Sequence, residues 1–169
     1  MFLRITAIIG HEGASLPFSA GFDWRDTEVN RQYPLTEPVA FDGTVRNTAG
    51  MLTLNGELKT TLHWVCDRCA VPFEETLRQP VGFMLAEELA DEENDEIYLL
   101  KDDGVDLAEA ALTAFLLEAG MKTLCAEDCQ GLCQKCGCNL NHGKCTCAGQ
   151  ETDPRWAALR SLTIDGKGV

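Results

Sequence analysis

The chain has 169 residues, 45% of them hydrophobic, and sets 27 acidic against 14 basic side chains for a formal charge of −13. That length and apolar content suffice for a core of its own. The charge excludes the broad lysine and arginine grip on phosphates that drives nucleic-acid binding. It leaves a basic protein partner or a purely solubilising acidity.

From Phe2 to Ile9 the residues alternate, which predicts a strand with Leu3, Ile5, Ala7 and Ile9 on one face. The start lacks the basic stretch and long apolar run of a secretory signal. No window reaches the length of a membrane span, so a cytoplasmic protein is expected. Residues 10 to 38, rich in glycine and proline with scattered aromatics, read as a long connection holding one short helix or strand. From Val39 onward the signal is β. Val39–Arg46, Met51–Leu54 and Glu57–Val65 are apolar and β-branched runs parted by Asn47-Thr48-Ala49-Gly50 and by Asn55-Gly56. Asn-Gly favours a tight hairpin, although Gly56 would equally mark a bulge in one long strand.

Phe73, Glu75, Leu77, Gln79, Val81 and Phe83 have the period of another strand. Cys66-Asp67-Arg68-Cys69 therefore falls in the short link between two strands, with Pro72 closing the turn. Residues 87 to 103 hold nine acids and one lysine, a solvated block interrupted by a short edge strand at Ile97–Leu100. Asp106-Leu107-Ala108-Glu109 reads as a helix N-cap with its acidic partner in a variant capping box. Leu107, Ala111, Leu112, Phe115, Leu116 and Ala119 run nearly all round that helix, which predicts a buried one ended by Gly120. It delivers the chain directly to Cys125.

Nine cysteines carry the chemistry, seven of them between Cys125 and Cys147 in the order C-x3-C-x3-C-x2-C-x-C-x6-C-x-C. Metal thiolate sites need soft, closely spaced sulfurs, and a C-x2-C turn brings two of them to one tetrahedral ion. A disulfide framework fits worse, because the count is odd and the chain is long. Cys133, Cys136, Cys145 and Cys147 would close one compact site, and Cys66, Cys69, Cys125 and Cys129 a second that ties the β region to the C-terminal segment. Cys138 is left over, an alternative ligand or a free thiol near Lys135, and the candidate if the protein were a redox or metal sensor. His142, inside the cluster, is an alternative ligand or a surface residue.

Zinc, one or two ions in a structural role, suits all-sulfur closed sites. The spacing is not that of a ferredoxin. No Ser/His/Asp set, phosphate-cradling loop or HExxH motif is present, so a conventional enzyme is not expected. A structural zinc module in some other protein complex is a further alternative.

Several motifs recur together: Cys66-Asp67-Arg68-Cys69; Leu124-Cys125 through Cys129-Gln130-Gly131-Leu132-Cys133 to Cys136-Gly137; Asn139-Leu140-Asn141; Cys145-Thr146-Cys147; and Asp153-Pro154-Arg155-Trp156 with Leu159. In these the chain resembles the YceD family of bacterial and plastid proteins, formerly a domain of unknown function, over roughly residues 35 to 162. The resemblance implies a role in accumulation of large-subunit ribosomal RNA without catalytic activity. It carries the family's cysteine motif onto Cys66, Cys69, Cys125, Cys129, Cys133, Cys136, Cys145 and Cys147, with Cys138 extra.

Joined to the acidity, the resemblance implies a partner among basic large-subunit ribosomal proteins or assembly factors. Ribosomal RNA would be touched only indirectly, with no membrane and no small-molecule substrate. The expected fold is α+β: an antiparallel, barrel-like β region with one buried helix near 106–119 in residues 1–122, then a zinc-held cysteine-rich segment over 123–162 and a tail over 163–169. Asp153 is expected to cap a short helix begun by Pro154, packed through Trp156 and Leu159 with Arg155 exposed.

Overall fold

A computed structural model describes residues 1–87, 97–147 and 155. The expected helix after Asp153 and the tail lie outside the described residues, apart from Arg155. The elements are β1 (Phe2–Arg4), β2 (Ser15–Phe22), β3 (Val39–Thr48), β4 (Met51–Val65), β5 (Pro72–Ala86), β6 (Ile97–Leu99), β7 (Gly104–Asp106) and α1 (Leu107–Glu118). Strands β2 to β6 form one sheet in sequence order, while β1 and β7 make a separate two-stranded ribbon.

The sheet is open, which corrects the barrel expected from sequence. Closure requires the first and last strands to pair, but β2 pairs with β3 and β6 pairs with β5. Strand β6 is three residues long and runs parallel to β5, so the sheet is mixed and not purely antiparallel. The apolar face is covered by α1. Phe41, Val45, Leu54, Leu58, Val81 and Phe83 share one core with Leu107, Ala111 and Phe115. Gln79, buried on the same face of β5, donates through Nε2 to the carbonyl of Ala114 at 2.8 Å and ties helix to sheet.

Several boundaries differ from expectation for identifiable reasons. The first strand stops at Arg4, because the amides of Ile8 and Ile9 both turn back to the Ile5 carbonyl at 2.9 and 3.2 Å. Ile5 and Ile8 are therefore the buried pair, at the spacing of a turn and not of a strand. The connection over 10–38 contains a full eight-residue strand, β2, which carries Pro17 at an edge where no ladder bond is lost. Asn55-Gly56 is no hairpin: β4 runs unbroken through it. The true hairpin is Ala49-Gly50, both at positive φ, with Thr48 opposite Met51.

The helix begins as expected, Asp106 accepting from the Ala108 amide at 3.0 Å. Glu109 accepts from Tyr98 Oη (2.9 Å) and Lys101 Nζ (2.6 Å), so it braces the loop before the helix. Leu116 and Leu117 are exposed, so α1 is buried along a stripe and not all round.

Asn47 is buried at the end of β3 and holds the loop over residues 8–14. Its Nδ2 donates to Ile8 O at 2.9 Å, its Oδ1 accepts from Gly50 N at 3.1 Å, and its backbone pairs with Gly13 and Ala14. Asn47→Ala leaves the Ile8 carbonyl without that donor, and a loss of about 1–3 kcal/mol of stability is expected in urea unfolding. An unchanged denaturation midpoint would show that water replaces the amide at no cost.

Candidate metal centre

The long β4–β5 hairpin places the first cysteines. Its ladder ends where Val65 pairs with Pro72, and the chain turns through Cys66–Val71. Cys66 N donates to Val71 O (3.0 Å) and Ala70 N to Cys66 O (2.9 Å), with Ala70 at positive φ. The turn points the amides of Arg68 and Cys69 at the Cys66 sulfur. Cys133-Gln134-Lys135-Cys136 repeats the device, with the amides of Lys135 and Cys136 directed at the Cys133 sulfur and Gly137 following at positive φ.

The eight cysteines gather in two quartets, Cys66, Cys69, Cys125 and Cys129 in one and Cys133, Cys136, Cys145 and Cys147 in the other, the sulfurs of each within 4.8 Å of one another. Cys66 and Cys129 are 3.8 Å apart, Cys69 and Cys125 3.6 Å, and Cys133 and Cys145 3.5 Å. Four sulfurs about 2.3 Å from a common tetrahedral centre stand about 3.8 Å from each other, whereas a disulfide needs about 2.05 Å. All nine cysteines are free thiols. Both quartets fit a metal ion.

Their electrostatics fit one too. Burial opposes ionisation of Cys66, yet the amides of Cys125, Cys69 and Arg68 bring its thiol down to about 6. Cys125 is pushed up to about 12, first by its hydrogen bond with Cys69. In the second quartet the amides of Cys136 and Lys135 lower Cys133 to about 6, while hydrogen bonding to Cys136 pushes Cys147 up to about 12. Four sulfurs this close cannot all ionise without a cation among them. A bound divalent ion would supply that charge and cross-link the segments that hold it.

Residues with no role assigned from sequence dock the two segments together. Asp67 N donates to Thr123 O and Thr123 N to Asp67 Oδ2, both at 2.8 Å. Arg68 Nη1 donates to Cys129 O at 2.9 Å and to Glu127 O at 3.4 Å, and Arg68 O accepts from Leu132 N at 3.1 Å. Gly131, at positive φ, packs so closely that a Cβ there would stand 3.0 Å from Arg68 O. The only hint of this in the sequence is that both positions inside the Cys66–Cys69 turn are charged.

Cys138 and His142 belong to neither quartet. His142 is exposed and lines a cleft beside Cys69 and Cys125. Cys138 is half-buried, and its hydrogen bond with Cys136 pushes its thiol up to about 12.

The family model described as Large ribosomal RNA subunit accumulation protein YceD matches residues 54–163. The chain belongs to the YceD family. Among relatives, the large ribosomal RNA subunit accumulation protein YCED homolog 1, chloroplastic, of Arabidopsis thaliana is 25% identical over 168 residues, covering 82% of this chain and 52% of that protein. Its Zea mays counterpart is 25% identical over 142 residues, covering 65% and 48%. An uncharacterized protein of Mycobacterium tuberculosis is 32% identical over 102 residues, covering 56% and 47%. The chain thus spans about half the length of the curated relatives it matches. No solved structure matches it. The YceD match takes in both quartets and, from Leu54 onward, the long hairpin that carries the first. No helix among the described residues is long and apolar enough to cross a membrane.

Proposed function

We propose that this YceD protein is a non-enzymatic ribosome biogenesis factor that supports accumulation of large-subunit ribosomal RNA. The family match carries the reading, because that role is what the family's description names. Two structural zinc ions hold it together, one on Cys66, Cys69, Cys125 and Cys129 and one on Cys133, Cys136, Cys145 and Cys147. All-sulfur closed sites suit zinc, which is redox-inert and leaves no open position for catalysis.

The partner is a basic large-subunit ribosomal protein or assembly factor. A charge of −13 repels free RNA but speeds encounter with a cationic protein, so the contact with ribosomal RNA is indirect. Depleting the protein from its host is expected to lower the ratio of large- to small-subunit ribosomal RNA, and an unchanged ratio would overturn the role. Titration of the zinc-loaded protein at physiological salt is expected to show binding to at least one basic large-subunit protein and none to a bare ribosomal RNA fragment. Undetectable affinity for every such protein removes the partner.

A further inference from the structure

Residues 130–132 and 139–141 run antiparallel as a short ribbon, bridged at Leu132 and Asn139 and by Leu140 N donating to Gly131 O at 2.9 Å. Its tip is the turn bearing Cys133 and Cys136, closed by Cys133 N donating to Cys138 O (2.9 Å) and Gly137 N to Cys133 O (2.8 Å). The second quartet therefore clasps the tip, while Cys129 of the first quartet sits at the base.

One side chain joins the two. Asn141 Nδ2 donates to Cys129 Sγ at 3.4 Å, and its Oδ1 accepts from Gln130 N at 2.7 Å. Asn139 Oδ1 fixes it from behind, accepting from the Asn141 backbone N at 2.9 Å and from Nδ2 at 2.8 Å. These bonds hold only while the ribbon keeps its register. The chain turns over residues 139–142, His142 N donating to Asn139 O at 3.3 Å, and three residues further on reaches Cys145 of the second quartet, so a metal ion there holds the ribbon closed.

We propose that Asn141 is a positioning residue that couples the two quartets: metal in the second fixes the ribbon that aims the Asn141 amide at the Cys129 sulfur, and so tightens metal binding in the first. An N–H donor stabilises the thiolate a metal ion needs, and loss of such an outer partner typically weakens a site about 10–100-fold. By linkage, metal in the first quartet strengthens the second by the same factor. The inference rests on the metal-binding reading above.

Zinc competition against a chromophoric chelator under reducing conditions, with native mass spectrometry to count ions, tests it on the whole protein. Cys133→Ser/Cys145→Ser removes the second site; both are replaced because Cys138, hydrogen-bonded to Cys136, could stand in for one lost sulfur. The single zinc left on that variant is expected to bind about 10-fold or more weakly than the first-site zinc of the wild type. Asn141→Ala should weaken the first site by a similar factor with both sites present, and adding it to the double variant should cost nothing further.

Asn141→Asp keeps an oxygen for the Gln130 amide while turning an acceptor toward Cys129. It should fold and lose at least as much first-site affinity as Asn141→Ala. Wild-type first-site affinity in both Asn141 variants, or additive losses, would overturn the coupling while leaving the metal sites standing. No zinc on the wild type would remove both.

Discussion

Cys66→Ser is expected to leave one metal ion on the chain in place of two and to lower its melting temperature by on the order of 10 °C, about 3–5 °C more than Cys133→Ser/Cys145→Ser. The difference follows from what each quartet connects. Cys66 and Cys129 are 63 residues apart, whereas Cys133 and Cys145 are only 12 apart. By the chain-entropy argument used for covalent cross-links, closing a loop of about 60 residues stabilises a fold by about 4 kcal/mol, and one of about 12 residues by about 3. For a chain of this size each kcal/mol corresponds to about 2–4 °C.

Burial widens the gap. Cys66, Cys69 and Cys129 are buried against Phe73 and Leu124, so losing the ion leaves sulfur and backbone donors enclosed without a partner, while the second quartet is half-exposed. Native mass spectrometry and a thermal melt in reducing buffer check both arms. Equal shifts for the two variants would show that the first quartet does not tie the hairpin to the C-terminal segment.

Gly56→Val is expected to cost about 3 kcal/mol or more, although valine is the better strand former. A Cβ at Gly56 would lie 2.6 Å from Phe41 Cε2 and 2.8 Å from Asp42 O. Gly43 stands directly opposite in the register, and there a Cβ would collide with Phe18 and the Asn55 carbonyl. The two glycines make the slot in which Phe18 and Phe41 meet edge to face at 4.9 Å. Strand propensity spans only about 1 kcal/mol. Overpacking a tight core costs about 1–3, and here one of the struck groups is ladder backbone that cannot turn aside. Gly82→Ala is the control: its nearest contact would be Asn55 Oδ1 at an ordinary 3.6 Å, so no loss is expected. If both substitutions are harmless in urea unfolding, the slot does not constrain the sheet.

These two expectations mark where the sequence was informative and where it was silent. Helix α1 was legible from Asp106 and the apolar run behind it, and β5 from its alternation, because burial of a sheet face imposes a period of two, whereas β4 read as two apolar, β-branched runs parted at Asn55-Gly56. Strand β2 was legible only as one short helix or strand somewhere in the connection over 10–38, since Pro17 and Gly21 mimic a loop, and Pro17 is tolerated because β2 is an edge. Gly56 read as a turn or bulge because sequence cannot distinguish a glycine that bends the chain from one that admits a neighbouring ring.

By itself the sequence determined the acidity, the YceD motifs and the local chemistry of two C-x2-C turns, all properties of residues close together or of their sum. The tertiary structure alone decided that the sheet stays open. A three-residue parallel β6 ends it, and α1 covers the face a barrel would have closed. It alone decided that Cys66 and Cys69 meet Cys125 and Cys129, because spacing carries no information across some sixty residues. The same holds for Asp67, Arg68 and Asn141, ordinary polar residues until the hairpin tip and the ribbon are brought into hydrogen-bond reach.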